Sequence, residues 1–142
     1  MQHIEWTAEL ELGHAEIDTQ HRRIVEILNS LHAAVAAHRA GPAENALLDE
    51  LVRLVDEHFR TEEALMRATR FAGYETHSEA HQILLQSVVD LRDSLFRRRA
   101  MINLKTLNFL KRWLYDHMRH TDCDLKVIFD GPARGEGRKK PD

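Results

Sequence analysis

Residues 51–65 read Leu51-Val52-Arg53-Leu54-Val55-Asp56-Glu57-His58-Phe59-Arg60-Thr61-Glu62-Glu63-Ala64-Leu65. The series Leu51, Val55, His58, Glu62, Leu65 advances by four, three, four and three. Such alternation gathers all five side chains on one stripe of an α-helix, the stripe that turns toward a core. Yet its middle holds an imidazole and a carboxylate. A buried, unpaired carboxylate is strongly unfavourable, so something must satisfy it.

The same anomaly recurs along the chain. The first predicted helix, 18–38, has the seam His21, Ile24, Leu28, Leu31, Val35, with Asp18 as its N-cap. The turn Arg39-Ala40-Gly41-Pro42 closes it, and the second helix runs over 43–67. A loop with Gly73 leads to a third, 76–99, with the seam His77, His81, Leu84, Val88, Leu91, Leu95. The fourth, 103–120, reads Leu107, Leu110, Leu114, His117. Short connections between four such rods predict an all-α, up-down-up-down four-helix bundle with an N-terminal arm. The domain is placed at 1–129, and the breaker-rich tail 130–142 is read as disordered.

Depth joins the four anomalies. His21 lies near the start of its helix, His58 and Glu62 near the end of theirs, His77 and His81 at a start, His117 near an end. In an antiparallel bundle these places share one end, within roughly two to three turns at about 1.5 Å per residue. His58 and Glu62, like His77 and His81, are four apart and stack one turn above the other. A metal would accept their lone pairs and offset the carboxylate charge. Asp122 is a further candidate, but five residues past His117 it points about 140° away on a regular helix. For Asp122 to join the site, the fourth helix must end or distort near His120 and Thr121.

Bulk properties set limits. The 142 residues suit one domain with a real core, and 43% hydrophobic against 30% charged residues is a globular balance. A net charge of −3 gives no argument for nucleic acid or an anionic membrane as partner. No apolar run is long enough to span a bilayer, and residues 1–12 lack the layout of a signal peptide. A lone Cys123 excludes an internal disulfide, so a reducing, cytoplasmic location is expected. Ten histidines are many for this length, although their placement matters more than their number.

The pattern Ile17-Asp18-Thr19-Gln20-His21, His58-Phe59-Arg60-Thr61-Glu62-Glu63, His77-x-x-x-His81 and Trp113-Leu114-x-x-His117-x-x-x-x-Asp122 resembles the hemerythrins, above all their bacterial single-domain members. The resemblance covers about 1–129 and includes Trp6, Met66 and Tyr74. It implies two non-haem iron ions bridged by hydroxide or oxide and two carboxylates. His77, His81 and His117 would complete one iron, and His21 and His58 would hold the other with a position open. Glu62 and Asp122 would bridge. Reversible binding of molecular oxygen would follow, for storage, transport or delivery to an oxygen-consuming client enzyme, by a monomer without enzymatic turnover of its own. Leu114 and Met118 would line the oxygen pocket; Met118 stands where the family often has an aliphatic residue.

Other readings carry less. His3, His14, His32, His38 and His120 lack seam partners and are taken as surface residues. Glu63 is a solvated charge or a contact to a ligand, and Asp18 could orient His21. Phe59, Tyr74 and Trp113 are packing residues, Cys123 is incidental, and Arg97-Arg98-Arg99 suits a helix C-terminus. A ferritin-like oxidase needs two Glu-x-x-His motifs, and the one here, Glu11 to His14, is broken by Gly13. Zinc usually takes four ligands at one ion, so seven fit two irons better, though ligand type alone leaves other metals open. Oxygen or nitric-oxide sensing, or iron donation, is the alternative on the same fold.

Overall fold

Four α-helices carry most of the residues described by the computed structural model, 3–37, 42–98 and 102–128. They are α1 (Ala15–Ala36), α2 (Pro42–Ala68), α3 (Tyr74–Arg98) and α4 (Leu104–Asp116), arranged as an up-down-up-down bundle. Helix α1 packs along both α2 and α4, and α2 also packs along α3. The turn at 39–41, His38, Arg99 and the tail 130–142 lie outside the described residues.

The core follows the seams. Ile24, Leu28 and Leu31 meet Leu51, Val55, Leu84, Val88, Leu107, Leu110 and Leu114, all buried. Each such side chain contributes about 1.5–3 kcal/mol on leaving water. Val35 and Leu91 are only partly buried. At the end of α2 the inward position passes from the expected Leu65 to Met66, which is fully buried. A step pattern averaging 3.5 runs ahead of a 3.6-residue helix, so the stripe slips by one residue after several turns.

The caps correct the expected helix bounds. Helix α1 starts three residues before Asp18, because His14 is the N-cap and its Nδ1 accepts from the Ile17 N–H at 3.3 Å. Asp18 instead accepts from the Leu12 and Gly13 N–H groups at 2.8 and 3.1 Å, tying down the N-terminal arm. Asn29 clamps that arm again, accepting from the Ile4 N–H and donating to its carbonyl, both at 2.9 Å. Helix α2 ends with Arg70 at φ 55 and a Phe71 N–H to Met66 C=O bond of 2.9 Å, a left-handed cap usually given to glycine. Helix α3 begins two residues early, as the His77 N–H already bonds the Gly73 carbonyl at 3.0 Å.

The fourth helix has the distortion that Asp122 required, and the distortion begins at His117, before the expected His120 and Thr121. Regular α-helix stops at Asp116, a π-turn spans His117–Thr121, and a 3-10 turn follows over Asp122–Leu125. The Asp122 N–H bonds the His117 carbonyl, five residues back. That longer ring brings residue 122 nearly above residue 117.

Two of the presumed surface histidines are not simply exposed. His14 caps α1, and half-buried His32 lies 3.2 Å by its Nδ1 from the Lys111 ammonium. Lys111 is itself fully buried, and burial pulls its pKa down.

Candidate metal centre

All seven predicted side chains converge at one end of the bundle, and all are buried. Helix α1 supplies His21, α2 supplies His58 and Glu62, α3 supplies His77 and His81, and the π-turn and its end supply His117 and Asp122. They form two overlapping groups: Glu62, His77, His81, His117 and Asp122, and then His21, His58, Glu62 and Asp122.

The carboxylates are shared atom by atom. Asp122 Oδ2 lies 2.9 Å from His21 Nε2 and 3.4 Å from His58 Nε2, while Oδ1 lies 3.0 Å from both His77 Nε2 and His117 Nε2. Glu62 divides likewise, with Oε2 3.1 Å from His58 Nε2 and Oε1 3.3 and 3.0 Å from His77 and His81 Nε2. Each carboxylate therefore turns one oxygen toward each group. With metal–ligand bonds of about 2.1 Å in octahedral geometry, neighbouring donors stand about 3.0 Å apart. These separations match that spacing.

The donor atoms lack other uses. Glu62 Oε2, His81 Nε2 and His117 Nε2 are buried and, although close to other atoms of the cluster, are not aligned for a hydrogen bond with any of them. His21 and His58 bring their Nε2 atoms to 3.0 Å of each other, a contact that needs a proton or a metal between two lone pairs. Such a set fits a pair of cations.

Electrostatics point the same way. Burial disfavours the charged form of His58, but the Glu62 and then the Asp122 carboxylates override it and hold its pKa at about 10. The same contest, won by Asp122 and Glu62, holds His77 at about 9. Burial pushes both carboxylates up, and the Asp122 charge adds to that push on Glu62, yet the imidazoles keep both below their usual range: His58 and His77 act on Glu62, and His117, His21 and His58 on Asp122. The cluster thus favours bound positive charge.

Outside the seven stands a supporting layer. The His81 Nδ1–H donates to Glu63 at 2.9 Å, so Glu63 is a contact to a candidate ligand and not merely a solvated charge. The His58 Nδ1–H donates to the Gln20 side-chain oxygen at 2.9 Å. Those bonds fix both rings with Nε2 facing inward. Gln20 stands beside His21 in the motif, but its partners Thr61 and His58 sit on another helix, and no periodicity reveals a contact across helices. Phe59 lies flat on the His81 ring, 3.8 Å between centroids, confirming a packing role. Leu114 and Met118 are buried in the core at this end of α4.

Comparison with known proteins agrees with the site. The family model for the hemerythrin HHE cation binding domain matches residues 12–126. Bacteriohemerythrin of Stenotrophomonas maltophilia is 35% identical over 118 residues, covering 82% of this chain and 75% of the relative. That of Methylococcus capsulatus is 30% identical over 118 residues, covering 82% and 89%. Among solved structures, a wild-type hemerythrin superimposes with a TM-score of 0.81 at 27% identity, covering 90% of this chain and 98% of the other. Fold, site and sequence together show that the chain belongs to the hemerythrin family.

Proposed function

We propose that the chain binds molecular oxygen reversibly at a centre of two iron ions, serving storage, transport or delivery to an oxygen-consuming partner. One observation carries this reading: two carboxylates are shared between a group of five candidate ligands and a group of four, themselves counted in both. Five donors nearly complete an octahedral ion; four leave more room for an exogenous ligand. Two ferrous ions, when bound, supply the two electrons that reversible oxygen uptake needs.

The chain's residues have distinct parts in this proposal. His77, His81 and His117 would hold the better-furnished ion, and His21 and His58 the other. Glu62 and Asp122, each with one oxygen toward each group, would be shared by the two ions and offset part of their charge in a dry core. Leu114 and Met118 exclude water from the oxygen pocket, which slows proton access and irreversible oxidation. A carrier needs no further acid–base pair, so enzymatic turnover is not part of the proposal.

An optical spectrum of the ferrous protein before and after admitting oxygen tests the reading. A charge-transfer band that appears with oxygen and vanishes on its removal is expected. Rapid irreversible oxidation would refute the carrier role and favour sensing or iron donation on the same site.

A further inference from the structure

The supporting layer treats the two sides of the centre differently. On the five-donor side, His81 donates through Nδ1 to a carboxylate, Glu63, at 2.9 Å. On the four-donor side, His58 donates through Nδ1 to an amide oxygen, Gln20, also at 2.9 Å. The contacts match in length and ring atom and differ in charge. A hydrogen bond to a charged acceptor is roughly twice as strong as a neutral one, and it leaves the imidazole a better donor at Nε2.

The Gln20 acceptor and the His81 ring are each held in place. The Gln20 amide donates to Thr61 Oγ1 at 3.0 Å, and that hydroxyl donates to the Glu57 carbonyl at 3.0 Å. The His81 ring is fixed against Phe59. His21, the other imidazole of the four-donor side, has no hydrogen-bond partner at Nδ1. The anionic support therefore favours the side already richer in donors.

Resting on the di-iron reading above, we propose that Glu63 and Gln20 set the order in which the two positions take their ions. Glu63 deepens the five-donor position, and neutral Gln20 keeps the four-donor position the weaker. Neither touches an ion; both are positioning residues. Glu63→Gln and Gln20→Glu keep size and an acceptor oxygen, so each changes the charge and little else.

The test is an anaerobic calorimetric titration of the full-length, metal-free protein with ferrous iron. Wild type should bind in two resolved steps. Glu63→Gln should weaken the tighter step by about 10–100-fold and move the other less. Gln20→Glu should tighten the weaker step, and the double exchange should bring the two together. Two steps that stay in place in both single variants would overturn the proposal and leave the di-iron reading standing. So would a single unresolved step in wild type, or a loss at both steps in Gln20→Glu. Failure of wild type to bind ferrous iron would overturn the di-iron reading, and this proposal with it.

Discussion

Raising the pH should destabilise the metal-free bundle by removing protons from its own cluster. His58 and His77 hold pKa values of about 10 and about 9 in the folded chain, against about 6.5 in an unfolded one. Because the folded values are raised, this stabilisation is complete below about pH 6.5 and is lost as the pH climbs through 9 and 10. Within that window the folded state binds up to two protons more than the unfolded state. Each contributes about 1.36 kcal/mol per pH unit, so stability should fall by up to about 3 kcal/mol per unit. From about pH 7 to about pH 8.5 the loss reaches roughly 4 kcal/mol, a large part of a typical 5–15 kcal/mol. At a urea slope of about 2 kcal/mol/M the unfolding midpoint moves down by roughly 2 M. Metal ions would take the place of those protons, so the loaded protein should show little change. Urea midpoints of stripped and loaded protein at both pH values decide the matter. A stripped protein with equal midpoints, or a loaded protein that falls as far, would refute the reasoning.

Other parts of the structure give sharper local expectations. Leu114→Ala, at a buried core position, should cost about 2–5 kcal/mol in thermal unfolding and speed autoxidation of the oxygenated form; an unchanged decay rate would remove Leu114 from the oxygen pocket. Arg70→Gly should raise stability by about 1 kcal/mol, since glycine adopts the φ of 55 without strain; a fall in the urea midpoint would contradict that. Asn29→Ala removes both side-chain bonds to Ile4 and should cost about 1–3 kcal/mol, with proteolysis appearing first in the N-terminal arm.

The sequence was most legible where periodicity and chemistry disagreed. The three-four spacing located four rods, and His21, His58, Glu62, His77, His81 and His117 stood out as polar residues on apolar stripes. Asp122 came with a structural condition attached, and the π-turn over His117–Thr121 meets it. What stayed hidden depends on geometry across elements. A histidine cap at His14 competes with the more familiar Asp18, and only the arm's path explains why Asp18 is engaged elsewhere. Arg70 adopts a left-handed conformation without the glycine that usually marks it. Gln20 and the Lys111–His32 pair face partners on other helices, which no spacing along one helix displays.

In the proposed centre, seven side chains from four helical segments hold two iron ions in adjacent positions. Iron content of protein purified without oxygen tests it most directly, measured on the wild type and on Asp122→Asn. About two irons per chain in the wild type, with a marked loss in Asp122→Asn, is the predicted result, because Asp122 gives one oxygen to each group. A wild type that holds no iron, or a variant that keeps both ions undiminished, would contradict the account.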